Sequence, residues 1–222
     1  MEGIRSKDRV QKFGEVFTPP NIVNDMLGML DSDMDIAGST FLEPSCGDGN
    51  FLIGILNKKL SVIEPTKYNI LRCISTIYGI DIQADNVLDS RKRMLGAVEE
   101  YCASFDISVD RDFLKNVEEI LQWNIVLGDF LEEKYIKMNN EGYLLNYETE
   151  EDTGLKLIKD DGSRIDISYL FEATNTNKYG KLVFRLWNIE DMSFTIEELD
   201  ENVEIKEETD SEMMARFQAE FL

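Results

Sequence analysis

Histidine is absent from this 222-residue sequence, and cysteine and proline are scarce. The lack of histidine excludes a histidine-dependent catalytic triad and argues against a transition-metal site, because imidazole is the usual base of such triads and the commonest metal ligand. The three cysteines, Cys46, Cys73 and Cys102, are widely and irregularly spaced. This spacing indicates reduced thiols in a cytoplasmic protein, and we predict no metal site.

Long hydrophobic runs are also missing. No apolar stretch approaches the roughly 20 residues that a membrane-spanning helix needs. The first residues, 1–9, are charged and are not followed by the apolar core of a signal sequence. We therefore expect no association with a membrane and a cytoplasmic location.

Basic residues are greatly outnumbered. The chain has 23 Lys and Arg against 44 Asp and Glu, which gives a net charge of −21. Because phosphate contacts need clustered Lys and Arg, this chain should repel DNA at long range unless a local basic patch or a partner compensates. Solubility alone also explains such a charge.

The stretch at residues 40–52 reads Thr-Phe-Leu-Glu-Pro-Ser-Cys-Gly-Asp-Gly-Asn-Phe-Leu. It predicts a buried strand, a tight Gly-rich turn and then a helix. A turn of this kind presents backbone N–H groups at a helix N-terminus, where the peptide dipoles favour polar or anionic ligand groups. Taken alone, a Gly-x-Gly turn is weak evidence for a ligand site.

Strand and helix patterns alternate around this turn. Helices are predicted from Pro20 to about Asp31, from Pro65, and over residues 84–105 and 111–122. Residues 77–82 and 124–130 predict two further strands, each with an acid near its end. The order predicts an α/β fold with a doubly wound, mostly parallel sheet. Residues 7–15 are polar, and we expect them to be flexible until they dock.

The second half of the chain predicts an antiparallel β excursion near residues 142–168. Its short strands cover residues 143–147, 155–158 and 164–167, and the turn Asp160-Asp161-Gly162 joins the last two. We expect the main sheet to resume at residues 181–187. The predicted organisation is a single domain over residues 1–196, with a β-hairpin insertion at 142–180, and an acidic C-terminal tail over residues 197–222.

Parallel sheets of this kind bind ligands beyond the carboxyl ends of their strands, where the turn, Asp81 and Asp129 should lie. An acid after the second strand can accept both hydroxyls of a ribose. An acid after the third can accept an exocyclic amine, beside the ring face of Phe130. The set predicts an adenosine-containing ligand. A nicotinamide dinucleotide is less suitable, because Gly47 and Asp81 are further apart than the roughly 20 residues of that fingerprint and its third glycine is missing.

Four segments together resemble motifs of the adenine-N6-specific DNA methyltransferases of restriction–modification systems. Residues 14–20 (Gly-Glu-Val-Phe-Thr-Pro-Pro) resemble the N-terminal motif in the gamma order, and residues 41–51 resemble the S-adenosylmethionine motif. Residues 78–81 (Tyr-Gly-Ile-Asp) and 128–130 (Gly-Asp-Phe) resemble the ribose-binding and adenine-binding motifs. The resemblance covers about residues 7–131 and implies a Rossmann-like methyltransferase fold that binds S-adenosylmethionine.

The resemblance also implies a role for each motif. Thr18 and the turn would hold the methionine moiety, Asp81 the ribose hydroxyls, and Asp129 and Phe130 the adenine. The implied cofactor-binding residues are Phe17, Thr18, Glu43, Pro44, Ser45, Cys46, Gly47, Asp48, Gly49, Asn50, Phe51, Asp81, Ile82, Gly128, Asp129 and Phe130. Glu43 and Asp48 can alternatively be simple turn formers or helix caps.

The catalytic motif of the family is missing. In active members the fourth strand ends in Asn or Asp, two prolines and an aromatic residue, which hold an adenine flipped out of the duplex. The four prolines of this chain, at positions 19, 20, 44 and 65, all precede the third strand. We therefore expect a truncated fold. Trp187 and Asn188, at the end of the strand expected to carry the motif, are weak candidates for base-contacting residues, because a half-buried Trp beside a turn Asn explains them better.

Three hypotheses remain open from the sequence. The chain can be the S-adenosylmethionine-binding part of a DNA adenine-N6 methyltransferase from a restriction–modification or phage-related system, which needs a partner subunit for DNA binding and catalysis. It can instead be a catalytically inactive S-adenosylmethionine-binding accessory or regulatory module, whose acidic surface contacts a basic protein. It can also be a structural relative that keeps the fold and binds no nucleotide.

Overall fold

The computed structural model describes residues 6–30, 34–146, 149–158 and 182–198. The helices are α1 (Lys7–Phe13), α2 (Pro20–Gly28), α3 (Asn50–Leu60), α4 (Lys67–Ser75), α5 (Ala84–Ser104) and α6 (Arg111–Asn124). The strands are β1 (Phe41–Glu43), β2 (Ile77–Asp81), β3 (Ile125–Asp129), β4 (Lys134–Ile136), β5 (Tyr143–Leu145), β6 (Asp152–Lys156), β7 (Val183–Asn188) and β8 (Ser193–Glu198). Within these residues, no helix is long and apolar enough to cross a membrane.

The central sheet has the strand order β1-β2-β3-β4. β1 pairs with β2 and β2 with β3 in parallel, whereas β4 is antiparallel to β3. The prediction of a mixed α/β fold built on a mostly parallel sheet is therefore confirmed. The three strands that the apolar runs predicted are the three parallel ones.

The two faces of this sheet carry different layers. Side chains of α3 to α6 share one apolar cluster with Ile77, Ile125 and Leu127. The opposite face contributes Ile80 and Tyr135 to a smaller cluster that Leu182, just before β7, completes. The connections from β1 to β2 and from β2 to β3 run in the same direction along the sheet. Right-handed connections of this kind place their helices on the same face of the sheet. The described residues thus show helices on one face and a β-hairpin on the other.

That hairpin, formed by β7 and β8, pairs antiparallel from Val183–Glu198 to Asn188–Ser193. The Tyr78 hydroxyl donates a hydrogen bond to the Arg185 carbonyl (2.6 Å) and so fixes β7 on the sheet. The Arg185 guanidinium lies 3.6 Å from the centre of the Trp123 ring and 3.8 Å from that of Phe194.

The prediction that residues 181–187 resume the main sheet is therefore wrong. A turn follows β7, in which the Asp191 carboxylate accepts the Ser193 N–H (3.0 Å), and β8 then returns along β7. Local hairpin pairing replaces the distant pairing with the sheet. β8 runs to Glu198, two residues into the predicted acidic tail, and the rest of that tail lies outside the described residues.

The predicted antiparallel excursion is present in its first part. β5 and β6 pair antiparallel, as the first two predicted strands, although β6 begins at Asp152 rather than at Leu155. The third predicted strand and the turn at residues 160–162 lie outside the described residues.

Residues 7–15, expected to be flexible until docked, form α1 and the residues that follow it. The Ser6 side chain caps the helix by accepting the Arg9 N–H (3.2 Å), and Gly14 ends it with φ +64°. In the structure α1 is docked, because Arg9 forms an ion pair with Asp85 of α5 (3.2 Å).

Candidate functional site

The sheet topology brings three predicted acids to one edge of the molecule. Glu43, Asp81 and Asp129 are the last residues of the neighbouring parallel strands β1, β2 and β3. Strand pairing aligns Glu43 with Gly79 and Asp81 with Leu127, so the three carboxyl ends lie side by side. Ligands of open α/β sheets bind at such an edge.

The Gly-rich turn connects β1 to α3 at this edge, as the sequence predicts. The Cys46 N–H donates to the Ile80 carbonyl of β2 (2.8 Å), and the Gly49 N–H donates to the Cys46 carbonyl (2.9 Å). Gly47 and Gly49 have φ values of +54° and +92°. This region of backbone space favours glycine, so the turn requires both residues.

The two glycines also admit neighbours that a larger residue would displace. A Cβ atom on Gly47 would lie 3.0 Å from Cδ1 of Phe17. A Cβ atom on Gly49 would lie 3.2 Å from Cα of Ser90, a backbone atom of α5. Phe17, in the segment that resembles the N-terminal motif, therefore packs on the turn.

Asp81 holds the turn to β2. Its Oδ2 accepts the Gly47 N–H (2.9 Å), while its Oδ1 accepts the Gln83 N–H (2.8 Å) and the Asn86 side-chain amide (3.1 Å). The side chain is buried, and this burial raises the pKa of the Asp81 carboxyl group. A carboxylate has about four lone-pair sites, so one remains for a further donor.

A second polar group joins the turn to the N-terminal motif and to α5. The Asn50 side chain donates to the Thr18 carbonyl (2.9 Å) and accepts from Arg93 (2.7 Å). Arg93 also donates to the Asp48 carbonyl (2.6 Å) and pairs with Asp48 Oδ2 (2.8 Å). Oδ1 of Asp48 is buried and has no hydrogen-bond partner among the described residues.

Two other turn residues, Glu43 and Cys46, are harder to ionise than free side chains. Oε1 of Glu43 accepts the Ser45 N–H at 3.4 Å, and burial raises the pKa of the Glu43 carboxyl group. Burial also raises the pKa of the Cys46 thiol well above its usual range. Cys46 is therefore a neutral packing residue rather than a nucleophile. Pro44 and Ser45 are exposed, and Phe51 and Ile82 pack against the main core.

Asp129 makes local contacts in the structure. Its Oδ1 accepts the N–H groups of Leu131 (2.9 Å) and Glu132 (3.2 Å) and so caps the turn after β3. Gly128 has a structural reason of its own, because a Cβ atom there would lie 2.5 Å from the Lys134 carbonyl of β4. Phe130 is half-buried against the smaller cluster. Gly128, Asp129 and Phe130 therefore lie at the expected edge of the sheet. The close pairing of β3 with β4 explains why position 128 is a glycine, whether or not a ligand binds there.

Trp187 and Asn188 lie at the other end of the sheet. The Trp187 indole N–H donates to Oδ1 of Asn124 (2.8 Å), whose amide donates to the Ile77 carbonyl at the start of β2 (3.2 Å). Asn188 is exposed, and its Oδ1 accepts the Glu190 N–H (3.1 Å) in the hairpin turn. Because the candidate site is at the carboxyl ends of the strands, the structure separates these two residues from it.

Sequence reasoning missed several side chains that shape the site, namely Arg9, Glu15, Asn86, Ser90 and Arg93. Ser90, for example, donates to the Gly47 carbonyl from the first half of α5 (2.9 Å). Most contacts of these five side chains join positions that are tens of residues apart in the sequence, and no local pattern predicts such a contact. The residues between Ala84 and Arg93 read only as an amphipathic helix.

A cavity of about 290 Å³ lies elsewhere, between α5 and α6, and its lining includes Leu88, Lys92 and Leu121. None of the predicted site residues lines it. Among the described residues, no group of three or more Cys, Asp or Glu side chains is arranged to hold a metal ion.

Comparison of the chain with protein-family models, curated proteins and solved structures gives no significant match. Function is therefore inferred from the residues and geometry of this chain.

Proposed function

We propose that this chain is the S-adenosylmethionine-binding part of a DNA adenine-N6 methyltransferase from a restriction–modification or phage-related system, with a Rossmann-like methyltransferase fold. It acts on DNA with a partner subunit that supplies the residues for the flipped adenine. The contact between the Gly47 N–H and the Asp81 carboxylate carries this proposal, because it joins the turn after β1 to the acid after β2.

The polar groups at this edge fit the parts of the cofactor. Asp81 has one acceptor site left, which suits one ribose hydroxyl. Asp129 uses Oδ1 for its own turn, and within the described residues its Oδ2 accepts no hydrogen bond and suits an exocyclic amine. Oδ1 of Asp48, which is buried and has no hydrogen-bond partner among the described residues, suits the ammonium group of the methionine moiety. The sulfonium centre of the bound cofactor would supply the methyl group.

The need for a partner follows from two features of the chain. No proline follows Pro65, so no Asn/Asp-Pro-Pro-aromatic segment comes after β3, and Trp187 and Asn188 are at the wrong end of the sheet. The net charge of −21 opposes DNA binding by this chain alone. A basic partner subunit would supply both the adenine-binding residues and the phosphate contacts.

Titration calorimetry with S-adenosylmethionine tests the proposal. We expect the wild-type chain to bind and Asp81→Asn to weaken binding by about tenfold or more, because hydrogen bonds to a charged acceptor contribute about 1.5–3 kcal/mol. Asp112→Asn is the matched control, since Asp112 is an exposed residue of α6. An absence of binding heat from a folded wild-type protein would refute the proposal.

The second candidate function is an inactive S-adenosylmethionine-binding accessory module that contacts a basic protein. The acidic charge and the missing catalytic motif favour it equally. A methyl-transfer assay on adenine-containing DNA, with and without proteins captured at low salt, separates the two functions. Transfer that appears only with the captured partner supports the methyltransferase, and cofactor binding with no transfer in either case supports the accessory module.

A further inference from the structure

The side chain of Asn86 lies between two carboxylates. It is 1% exposed, and its amide nitrogen donates to Oδ1 of Asp81 (3.1 Å) and to Oε1 of Glu15 (2.8 Å). Its Oδ1 accepts a hydrogen bond from Arg9 (3.3 Å). Both amide hydrogens and the carbonyl oxygen of Asn86 are thus engaged, which fixes the orientation of the side chain.

Arg9 and Glu15 belong to α1 and the residues immediately after it. Arg9 forms an ion pair with Glu15 and a second with Asp85 (3.2 Å), and the three side chains are only 12%, 8% and 15% exposed, in that order. A helix of seven residues is too short to be stable alone in water. The position of α1 therefore depends on these buried polar contacts with α5.

We infer that Asn86 is a positioning residue that couples the docking of α1 to the turn of the cofactor site. The coupling runs from Arg9 and Glu15 to Asn86, then to the Asp81 carboxylate, and then to the Gly47 N–H. Where it concerns the cofactor, this inference rests on the proposed function. Since coupling between two sites is reciprocal, a ligand held by Asp81 and the turn strengthens the docking of α1.

The charges of the cluster identify the member to change. Arg9 is the one cation among these residues, and it faces the carboxylates of Glu15 and Asp85, with Asp81 beyond Asn86. Removing the guanidinium takes the ion-pair partner from the buried Glu15 carboxylate, which favours the undocked position of α1. The change is made at the far end of the cluster and does not alter Asp81 or the turn.

The test compares Arg9→Met with Lys7→Met, which removes a positive charge from an exposed position of the same helix. Two quantities are measured, namely the hydrogen-exchange rate of the Gly47 amide by NMR without cofactor and the dissociation constant of S-adenosylmethionine. We expect Arg9→Met to raise both by about tenfold, the effect of losing about 1.4 kcal/mol, and Lys7→Met to leave both within about twofold. Asn86→Ala should reproduce the Arg9→Met result if it folds.

The outcomes separate the inference from the proposed function. Faster Gly47 exchange in Arg9→Met, with no cofactor binding by the wild type, would support the coupling and refute the proposed cofactor. Wild-type cofactor binding, with Gly47 exchange and affinity unchanged in Arg9→Met, would refute the coupling and leave the proposed function intact. If Lys7→Met matches Arg9→Met, the effect is one of helix charge in general and the inference is wrong.

Discussion

Lys59 shows how one buried side chain sets the position of the site. It is fully buried on α3, and its ammonium group donates to the carbonyls of Ala37 (3.0 Å) and Ser39 (2.6 Å) and to the Thr76 hydroxyl (2.9 Å). These acceptors belong to the residues that lead into β1 and β2. Lys59 therefore joins the starts of two parallel strands whose other ends carry Glu43 and Asp81.

Replacing Lys59 by Met should destabilise the fold without touching the site. Three hydrogen bonds from a charged donor are lost and partly buried carbonyl groups lose their partner, so we expect a loss of about 2–4 kcal/mol in the free energy of unfolding. Urea denaturation of both proteins at pH 7 measures it. Lys115→Met, at an exposed position of α6, is the control and should change stability by less than about 0.5 kcal/mol.

The stability difference between the wild type and Lys59→Met should depend on pH. Burial lowers the pKa of Lys59 to about 8, from its ordinary value of 10.5. Between these values the unfolded state holds the proton more than the folded state does, so wild-type stability gains a contribution that rises with pH. The stability difference between wild type and Lys59→Met should thus grow from pH 8 to pH 10. A difference that shrinks over this range would contradict the lowered pKa.

At the scale of elements, the turn between β1 and α3 depends on how closely α5 approaches it. Gly49 combines φ +92° with a backbone neighbour, Ser90 Cα, that a side chain would meet at 3.2 Å. Gly96 lies within α5 itself. Its φ is not positive, and among the described residues nothing outside its own helical turns would lie within 4 Å of a Cβ atom there. Replacement by alanine should therefore destabilise the protein at Gly49 and stabilise it at Gly96.

We expect Gly49→Ala to lower the free energy of unfolding by about 1–3 kcal/mol, because it adds backbone strain and a contact with α5. Gly96→Ala should raise stability by about 0.5–1 kcal/mol, since alanine is the better helix former. Thermal unfolding of the two variants measures both effects. Equal effects of the two substitutions would show that the turn is free to rearrange.

The elements that the sequence predicted are those whose signals are local. The apolar runs ending in Glu43, Asp81 and Asp129 each predicted a strand, and the turn glycines predicted the entry into α3. The hairpin was missed because β8 is short and its last two residues, Glu197 and Glu198, read as the start of an acidic tail. Its place on the sheet depends on contacts such as that of Tyr78 with Arg185, which are 107 positions apart. The contact of Asn86 with Glu15 was equally impossible to predict from local sequence patterns.

At the scale of the whole molecule, negative charge collects where the cofactor is proposed to bind. The side chains around that edge include six carboxylates and two guanidinium groups, those of Glu15, Glu43, Asp48, Asp81, Asp85, Asp129, Arg9 and Arg93. The chain as a whole carries −21. S-adenosylmethionine has a sulfonium centre, so its net charge is one unit more positive than that of S-adenosylhomocysteine.

This charge distribution predicts a preference between the two ligands. We expect S-adenosylmethionine to bind several-fold more tightly than S-adenosylhomocysteine at low salt, because the field at the site favours the cation. The preference should narrow at 0.5 M salt, where charges that lie more than about 4 Å apart in solvent are screened. Calorimetry with both ligands at two salt concentrations measures it, and a preference for the neutral ligand would contradict it.

The sandwich of Arg185 between Trp123 and Phe194 has a spectroscopic consequence. The sequence has two tryptophans, and both lie where the hairpin meets α6, since Trp187 is bonded to Asn124. Intrinsic tryptophan emission therefore reports whether the hairpin covers its face of the sheet. In the described residues, no tryptophan lies at the carboxyl ends of the parallel strands. Tryptophan emission should therefore change when the hairpin detaches and should not change when a ligand binds at the carboxyl ends.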